Sequence, residues 1–319
     1  MMRAAIRAKY GPPEVLSIGK VETPTPGDAD VLVRVRAATA NRSDYHVLTG
    51  RPFLMRLFTG LLRPKRRSTG TDFAGEIEAV GPNVTTFKVG DRVIGFGGPF
   101  GVGSHAQYVT IRETRGIVAM PESLDFVQAA SCIEGPAYAA GVFMRHKVEA
   151  GQKALVNGAT GAIGSAYVQL FSHFGVWVTA VCRQEHFQLI RSLGAAKCID
   201  YENEDFTADG DRYDYVFDTV GNSSFPTCKR LLKPSGVYAG NNPWDLLWAL
   251  LTFRSKGKRV LLEPPPNVKA TLQFVNSVVA EGGLRPVIDR TYPLERVIEA
   301  FRYVASGAKV GAVVIALDA

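Results

Sequence analysis

The sequence predicts an α/β protein in two bodies, a barrel-like β domain and a doubly wound parallel sheet. Three observations lead there. The first ~125 residues read as short strands broken by Gly and Pro. After about residue 126, strands alternate with helical stretches, the pattern of a parallel sheet with crossover helices. The length, 319 residues, suits two domains of about 150 each.

In the first body, residues 31–36 (VLVRVR) alternate and are rich in β-branched side chains. Residues 73–80 (FAGEIEAV) form a second strand that stops at Gly81-Pro82, and residues 89–95 (VGDRVIG) turn into a third. In the second body the strands are 153–157 (KALVN), 176–181 (VWVTAV), 215–218 (YVFD) and 237–239 (VYA). The proline run 264–266 marks a break. Helices over 269–281 and 294–306 then lead to a terminal strand, 312–317 (AVVIAL). The expected boundaries are 1–126 for the first body, 127–264 for the second, and 265–319 for a return to the first.

Composition excludes several classes. Apolar residues are 46% and charged residues 21%, so the chain is neither disordered nor a small disulfide scaffold. The net charge of +7 is partly local, in Arg63, Lys65, Arg66 and Arg67 and in Arg254, Lys256, Lys258 and Arg259. Neither cluster carries the interleaved aromatics or the motif context of a nucleic-acid binder, and both read as solvated loops. Cys132, Cys182, Cys198 and Cys228 contain no C-x-x-C pair, which supports neither a zinc ribbon nor a disulfide framework. The first residues hold no apolar run of signal-peptide length, and free cysteines suit a reducing compartment. The expectation is a cytoplasmic protein with no stable membrane insertion. The apolar run 244–253 (WDLLWALLTF) is too short to span a bilayer and reads as cleft or core packing, with a dimer contact or a membrane surface as alternatives.

The most informative segment joins strand 153–157 to a glycine turn and then a helix. Residues 159–164 read Ala159-Thr160-Gly161-Ala162-Ile163-Gly164, a variant of the dinucleotide fingerprint. Gly161 lets the backbone approach a diphosphate, and Gly164 lets the helix pack close to the strand. The N–H groups and dipole at the helix start favour an anion. The other reading is a glycine turn that serves packing alone. The second strand ends Val181-Cys182-Arg183-Gln184, with no carboxylate where an NAD enzyme places one for the ribose hydroxyl. Arg183 offers a forked cation to a 2′-phosphate, which points to NADPH; Glu185, two residues on, offers a ribose partner instead.

Taken together, these segments resemble the medium-chain dehydrogenase/reductase superfamily, in its zinc-free quinone oxidoreductase-like branch, over nearly the whole chain. The resemblance is carried by residues 2–6 (MRAAI), 11–16 (GPPEVL), Asn41 with Asp44-Tyr45, 70–81 (GTDFAGEIEAVG), 89–95 and 158–164 (GATGAIG). Leu193-Gly194-Ala195, Asp200-Tyr201 and 217–221 (FDTVG) complete it in the family's order. It implies a GroES-like β-barrel catalytic domain formed by the two ends of the chain, with a Rossmann domain inserted, and commonly a homodimer. Carried over by position, Asn41 stands near the nicotinamide ribose and carboxamide. The 160–163 turn (Thr160, Gly161, Ala162, Ile163) holds the diphosphate. Tyr201 lines the adenosine phosphate with Arg183, and Val220 and Asn241 pass the nicotinamide side.

The zinc-dependent branch needs a Cys and a Gly-His-Glu run. Here those places hold Ala40-Asn41-Arg42-Ser43-Asp44 and Gly70-Thr71-Asp72, without thiolate or imidazole. His46 stands where the branch often has tyrosine, and Tyr138 where it often has threonine. Both fall in the expected substrate cleft. Without a Lewis acid, the suitable acceptor delocalises charge itself, as a quinone or an α,β-unsaturated carbonyl does. Hydride then passes from C4 of NADPH, and the proton comes from solvent, Tyr45 or His46. The candidate catalytic residues are therefore Asn41, Tyr45 and His46. A lone histidine beside a tyrosine is more often structural or exposed. Two other functions compete: a zinc-free NAD(P)-dependent alcohol or carbonyl dehydrogenase, and a non-enzymatic NADPH-binding protein.

Overall fold

In the computed structural model, residues 1–98, 101–240, 242, 244–253, 255–261 and 265–317 are described. The chain divides into two compact units: Met1–Ala137 with Asn267–Ala280 and Arg285–Ala319, and Tyr138–Pro266 with Glu281–Leu284.

The first unit opens with an antiparallel ribbon of β1 (Met2–Ile6) and β2 (Ser17–Val21). β3 (Asp30–Thr39) is the longest strand of the unit, and α1 (Arg42–Thr49) follows directly. After the short helix α2 (Arg56–Thr59) come β4 (Asp72–Val80), β5 (Arg92–Phe96), β6 (Tyr108–Arg112) and β7 (Ile117–Ala119). Helices α3 (Phe126–Ser131) and α4 (Glu134–Ala140) end this stretch. β3 pairs antiparallel with β4 along one edge and with β6 along the other, and register shifts at Leu32/Val33 and Val35/Ala37 bend it. Such bulges let one long strand serve both edges of a curled sheet. The β-branched residues of β3 do face inward: Val31, Val33 and Val35 are buried against Phe73, Ile77, Val93 and Ile117.

The second unit carries β8 (Lys153–Asn157), α5 (Ala162–His173), β9 (Trp177–Cys182), α6 (Phe187–Ser192) and β10 (Lys197–Asp200). Then follow β11 (Tyr213–Asp218), α7 (Phe225–Cys228), β12 (Leu232–Gly240), α8 (Asp245–Thr252) and β13 (Arg259–Leu261). All six strands run parallel, in the order β10-β9-β8-β11-β12-β13. The order reverses between β8 and β11, the switch point where open parallel sheets bind ligands beyond the strands' carboxyl ends. α5 buries Tyr167, Leu170 and Phe171, and the Tyr167 ring stacks 3.8 Å from Phe217 of β11.

The chain then returns to the first unit with α9 (Val268–Ala280), β14 (Ile288–Pro293), α10 (Val297–Ser306) and β15 (Ala312–Ala316). β15 pairs antiparallel with β3 and parallel with β14, and α10 buries Val297, Phe301 and Val304 in the barrel core. The fold is therefore α/β, a GroES-like barrel domain and a Rossmann-like parallel-sheet domain.

One expectation needs correction. The apolar run 244–253 does not bury itself. Ala249 is covered and Trp248 packs on Phe225 at 5.5 Å, while Leu250 is 70% and Phe253 80% exposed. A helix apolar on every side can turn only one stripe to its sheet. Among the described residues, no helix is long and apolar enough to cross a membrane.

Candidate functional site

In the second unit the site grows from the end of β8. Gly158 takes φ +81°, a left-handed value that favours glycine, and Gly161 starts α5 with an extended backbone. The first turn of α5 cannot use its own N–H groups at Ala162, Ile163 and Gly164 within the helix. Thr160, Gly161, Ala162 and Ile163 are all half-exposed, whereas Gly164 is buried. A Cβ on Gly164 would lie 2.1 Å from the Gly158 carbonyl oxygen, so helix and turn touch there. A Cβ on Gly161 would meet nothing closer than 3.6 Å, leaving open space above the turn. The Thr219 hydroxyl donates to the carbonyls of Asn157 (2.9 Å) and Gly158 (3.2 Å). Val220 borders the turn, since a Cβ on Gly158 would reach its Cγ2 at 2.6 Å. The Asp218 carboxylate pins this crossing by accepting from Asn157 Nδ2 and from the N–H groups of Val220, Gly221 and Ser223. Asn241 lies outside the described residues.

Arg183 follows β9 directly, and Tyr201 follows β10, its neighbour in the sheet. The two side chains meet: contact with the Tyr201 hydroxyl and the charge of Glu202 raise the guanidinium's pKa. Arg183 Nε also pairs with Glu202 at 2.9 Å, and Glu185 stands 3.8 Å from its Nη1. The strand end thus carries a forked cation, a phenol and two exposed carboxylates.

In the first unit a buried polar network forms where β3, α1, β4 and α4 meet. Asp72, the first residue of β4, accepts from the Thr39 N–H (2.7 Å) and the Thr39 hydroxyl (2.5 Å). Asp44 lies one turn into α1 and accepts from the Asn41 N–H at 3.0 Å, so its carboxyl holds the helix start. The Asn41 side-chain amide donates to Glu134 Oε2 at 2.6 Å and also to Thr39 Oγ1. Ser43 and Thr71 add their hydroxyls to the same Glu134 carboxyl. Burial is the largest influence on all three acids. It pushes the Glu134, Asp72 and Asp44 pKa values up, and the mutual charge of the neighbours raises Asp44 and Asp72 further. Lys309, whose Nζ donates to the Gly311 carbonyl (2.8 Å), feels Glu134 as well; burial lowers its pKa to about 8.

Of the expected catalytic residues, Asn41 is inside this network with its amide committed to Glu134. Tyr45 and His46 lie on α1, with Tyr45 packed against the barrel core and its ring 6.4 Å from the imidazole. Burial and the nearby Arg42 lower the His46 pKa, so the imidazole is neutral at neutral pH. Glu134 is the residue that sequence reasoning missed. It is the only charged residue between Asp125 and Arg145, an acid in an otherwise apolar run, and that isolation was the available signal.

Comparison with known proteins agrees with this geometry. Residues 27–122 match the alcohol dehydrogenase GroES-like domain, and residues 193–315 match a family described as zinc-binding dehydrogenase. The chain is 30% identical over 325 residues to an NADPH-dependent alkenal/one oxidoreductase of Arabidopsis thaliana, covering 98% of this chain and 79% of that one. It is 29% identical over 314 residues to quinone-oxidoreductase QR1 of Triphysaria versicolor, covering 93% and 92%. The solved quinone oxidoreductase of Coxiella burnetii superposes with a TM-score of 0.89 at 26% identity, over 99% of both chains. The chain belongs to the medium-chain dehydrogenase/reductase superfamily of nicotinamide-dependent oxidoreductases, in its quinone oxidoreductase-like branch.

Proposed function

We propose that this chain is a zinc-independent, NADPH-dependent oxidoreductase that transfers a hydride to a quinone or an α,β-unsaturated carbonyl. The donor set around Glu134 carries the reading. Zinc in this superfamily asks for thiolate and imidazole ligands. Here Asn41 and Thr71 meet a single carboxyl instead, and that carboxyl is already filled by three hydrogen-bond donors. His105 has both ring nitrogens engaged, with Thr69 Oγ1 at 2.8 Å and the Thr39 carbonyl at 2.9 Å. These residues do not fit a zinc ion. An acceptor that becomes a quinol anion or an enolate spreads the incoming charge over its own π-system and needs no Lewis acid.

The cofactor, when bound, supplies the hydride. The chain's part is to hold, orient and keep water out. The Thr160–Ile163 turn offers backbone N–H groups to the diphosphate, and Arg183 with Tyr201 takes the 2′-phosphate. Val220 passes the nicotinamide side. Asn41 orients through its amide, backed by Glu134, and the neutral His46 and Tyr45 offer N–H and O–H groups to the acceptor's oxygen. The same reading makes the protein a cytoplasmic homodimer; its four cysteines are free thiols.

The test follows absorbance at 340 nm with NADPH or NADH against 1,2- and 1,4-quinones, α,β-unsaturated ketones, simple aldehydes and simple alcohols. Quinones or enones should oxidise NADPH, and a chelator should not slow them. Turnover of simple alcohols alone would overturn the proposal.

The ion pair of Arg183 with Glu202 favours a second reading, an NADH-linked alcohol or carbonyl dehydrogenase in which that cation is already neutralised. Arg183→Glu separates the two. On the NADPH reading, its Kd for NADPH rises about a hundredfold and that for NADH less than about threefold. Equal losses would remove Arg183 from the 2′-phosphate site.

A further inference from the structure

The first unit contains a pocket of about 160 Å³ whose wall includes Arg7, Lys65 and Arg66 together with Ser68, Thr69 and Thr71. We propose that this pocket binds an anionic substituent of the substrate, a carboxylate or its sulfonate or phosphate equivalent, with Arg7, Lys65 and Arg66 as its counter-charges. The inference rests on the hydride-transfer reading above and narrows its substrate class from quinones and enones at large to acidic ones.

The strongest observation is Arg7. Its side chain comes from just past β1 and is only 3% exposed. One guanidinium nitrogen donates to the Val47 carbonyl, while the buried Nε has no hydrogen-bond partner among the described residues. A guanidinium carries five donors, and burying one with its donors incompletely paired is costly. Burial lowers its pKa, but only to about 10, so it is still a cation at neutral pH.

Two further cations join it from the chain segment that runs alongside. The Arg7 N–H donates to the Arg67 carbonyl at 2.9 Å, which ties that basic segment to the strand. Arg66 is held at the rim by a 3.0 Å bond from its Nη1 to the Val102 carbonyl. The cluster that reads as solvated loop in sequence therefore has two members on a pocket wall. The one carboxyl on that wall is Asp44. Burial beside Glu134 and Asp72 raises its pKa, while its charge raises that of Arg7, so at most one negative charge faces the three cations.

Position ties the pocket to the chemistry. Thr71 lines it and also donates its hydroxyl to Glu134, so the pocket and the polar network share a wall. The volume is close to that known to hold one benzene ring, which leaves room for an aryl or short acyl arm and its acidic end. A neutral arm would leave Arg7, Lys65 and Arg66 without a counter-charge from the ligand, whereas an oxyanion gains charge-assisted bonds on this wall.

The experiment uses the whole chain and three phenyl enones: 4-phenylbut-3-en-2-one, its para-carboxylate, and the methyl ester of that acid as a neutral control of similar size. Both kcat/KM with NADPH and Kd by calorimetry without it are measured for wild type, for Lys65→Gln/Arg66→Gln, and for Arg7→Met. The acid should be preferred over its ester by tenfold or more in wild type, in both quantities. In the double variant, whose changes lie on the exposed rim and spare the core, that preference should fall at least fivefold; Arg7→Met should lose the remainder. Turnover of all three compounds without a preference overturns the anion site and leaves the oxidoreductase reading standing. Selective binding of the acid, lost in the variants, with no turnover of any compound upholds the site and removes the reading. Neither turnover nor selective binding removes both.

Discussion

Glu134→Ala abolishes most turnover while NADPH affinity stays within about twofold of wild type. The expectation comes from what the carboxyl accepts. The Asn41 amide, the Ser43 hydroxyl and the Thr71 hydroxyl all donate to it, and all three groups are buried or half-buried. Truncation removes that shared acceptor and leaves the Asn41 amide its bond to Thr39 Oγ1, at about 1–3 kcal/mol for each buried donor left unpaired. The amide of Asn41 loses its orientation, and with it goes the placement of the acceptor. A fall in kcat/KM of about a hundredfold is expected. On the proposed assignment the partners of the diphosphate and the 2′-phosphate belong to the parallel-sheet unit and only Asn41 meets the nicotinamide end, which is why most of the NADPH affinity should remain. Glu134→Gln is the finer probe. It keeps the volume but turns an –NH2 toward donors, so it should lose nearly as much activity as alanine while melting closer to wild type. Full activity in Glu134→Gln would show that the carboxyl only fills space.

The same residue has a pH signature. A buried acid whose pKa is raised on folding stabilises the folded state while it keeps its proton, and that stability is lost as pH climbs from the ordinary carboxylate range toward the raised value. The melting temperature of wild type should therefore fall as pH rises above the ordinary carboxylate range, with Asp72, raised to about 8, adding to the same limb. Above about 8 the lowered Lys309 works in the other direction, because there the unfolded chain binds the extra proton. Glu134→Gln should flatten the lower limb without abolishing it, since Asp44 and Asp72 are raised too. An unchanged slope would mean that Glu134 is ionised throughout.

What the sequence made legible follows the range over which each signal acts. The β8–turn–α5 unit is written in consecutive residues, because the strand, the two glycines and the apolar spacing of Tyr167, Leu170 and Phe171 are all local. The neighbourhood of Arg183 and Tyr201 was legible through the family resemblance, since parallel strands next to each other bring their ends together. Glu134 was not. It meets Asn41 across 93 residues and Thr71 across 63, and no local period announces such a meeting. The pocket wall was hidden for the same reason. Lys65 and Arg66 look like solvent-exposed charge until the chain fold sets them beside Arg7. The 244–253 run misled in the opposite sense: its hydrophobicity is genuine, but one helix face cannot bury residues that lie all round it.

Gly164→Val should be strongly destabilising in the parallel-sheet unit. Its Cβ would stand 2.1 Å from the Gly158 oxygen, 2.8 Å from its carbonyl carbon and 2.9 Å from the Ala159 Cα. All three atoms are backbone, and they belong to the turn itself, so no side chain can swing aside. α5 must lift from β8, and lifting it uncovers Tyr167 and Phe171, whose rings pack 6.0 Å apart with Phe217 beneath them. A destabilisation of about 3 kcal/mol or more is expected, with NADPH affinity lowered at least a hundredfold in whatever folds. Gly161→Ala supplies the contrast. Its Cβ has only the Gly158 oxygen within reach, at 3.6 Å, an ordinary contact, and the backbone there is extended. The variant should melt within about 2 °C of wild type. If the open space above Gly161 is where the diphosphate comes close, NADPH affinity should nonetheless drop about tenfold, because the added methyl stands in its way. A Gly161→Ala protein that binds NADPH as wild type does would move the diphosphate off this turn, and with it the premise that the switch point between β8 and β11 is the cofactor site.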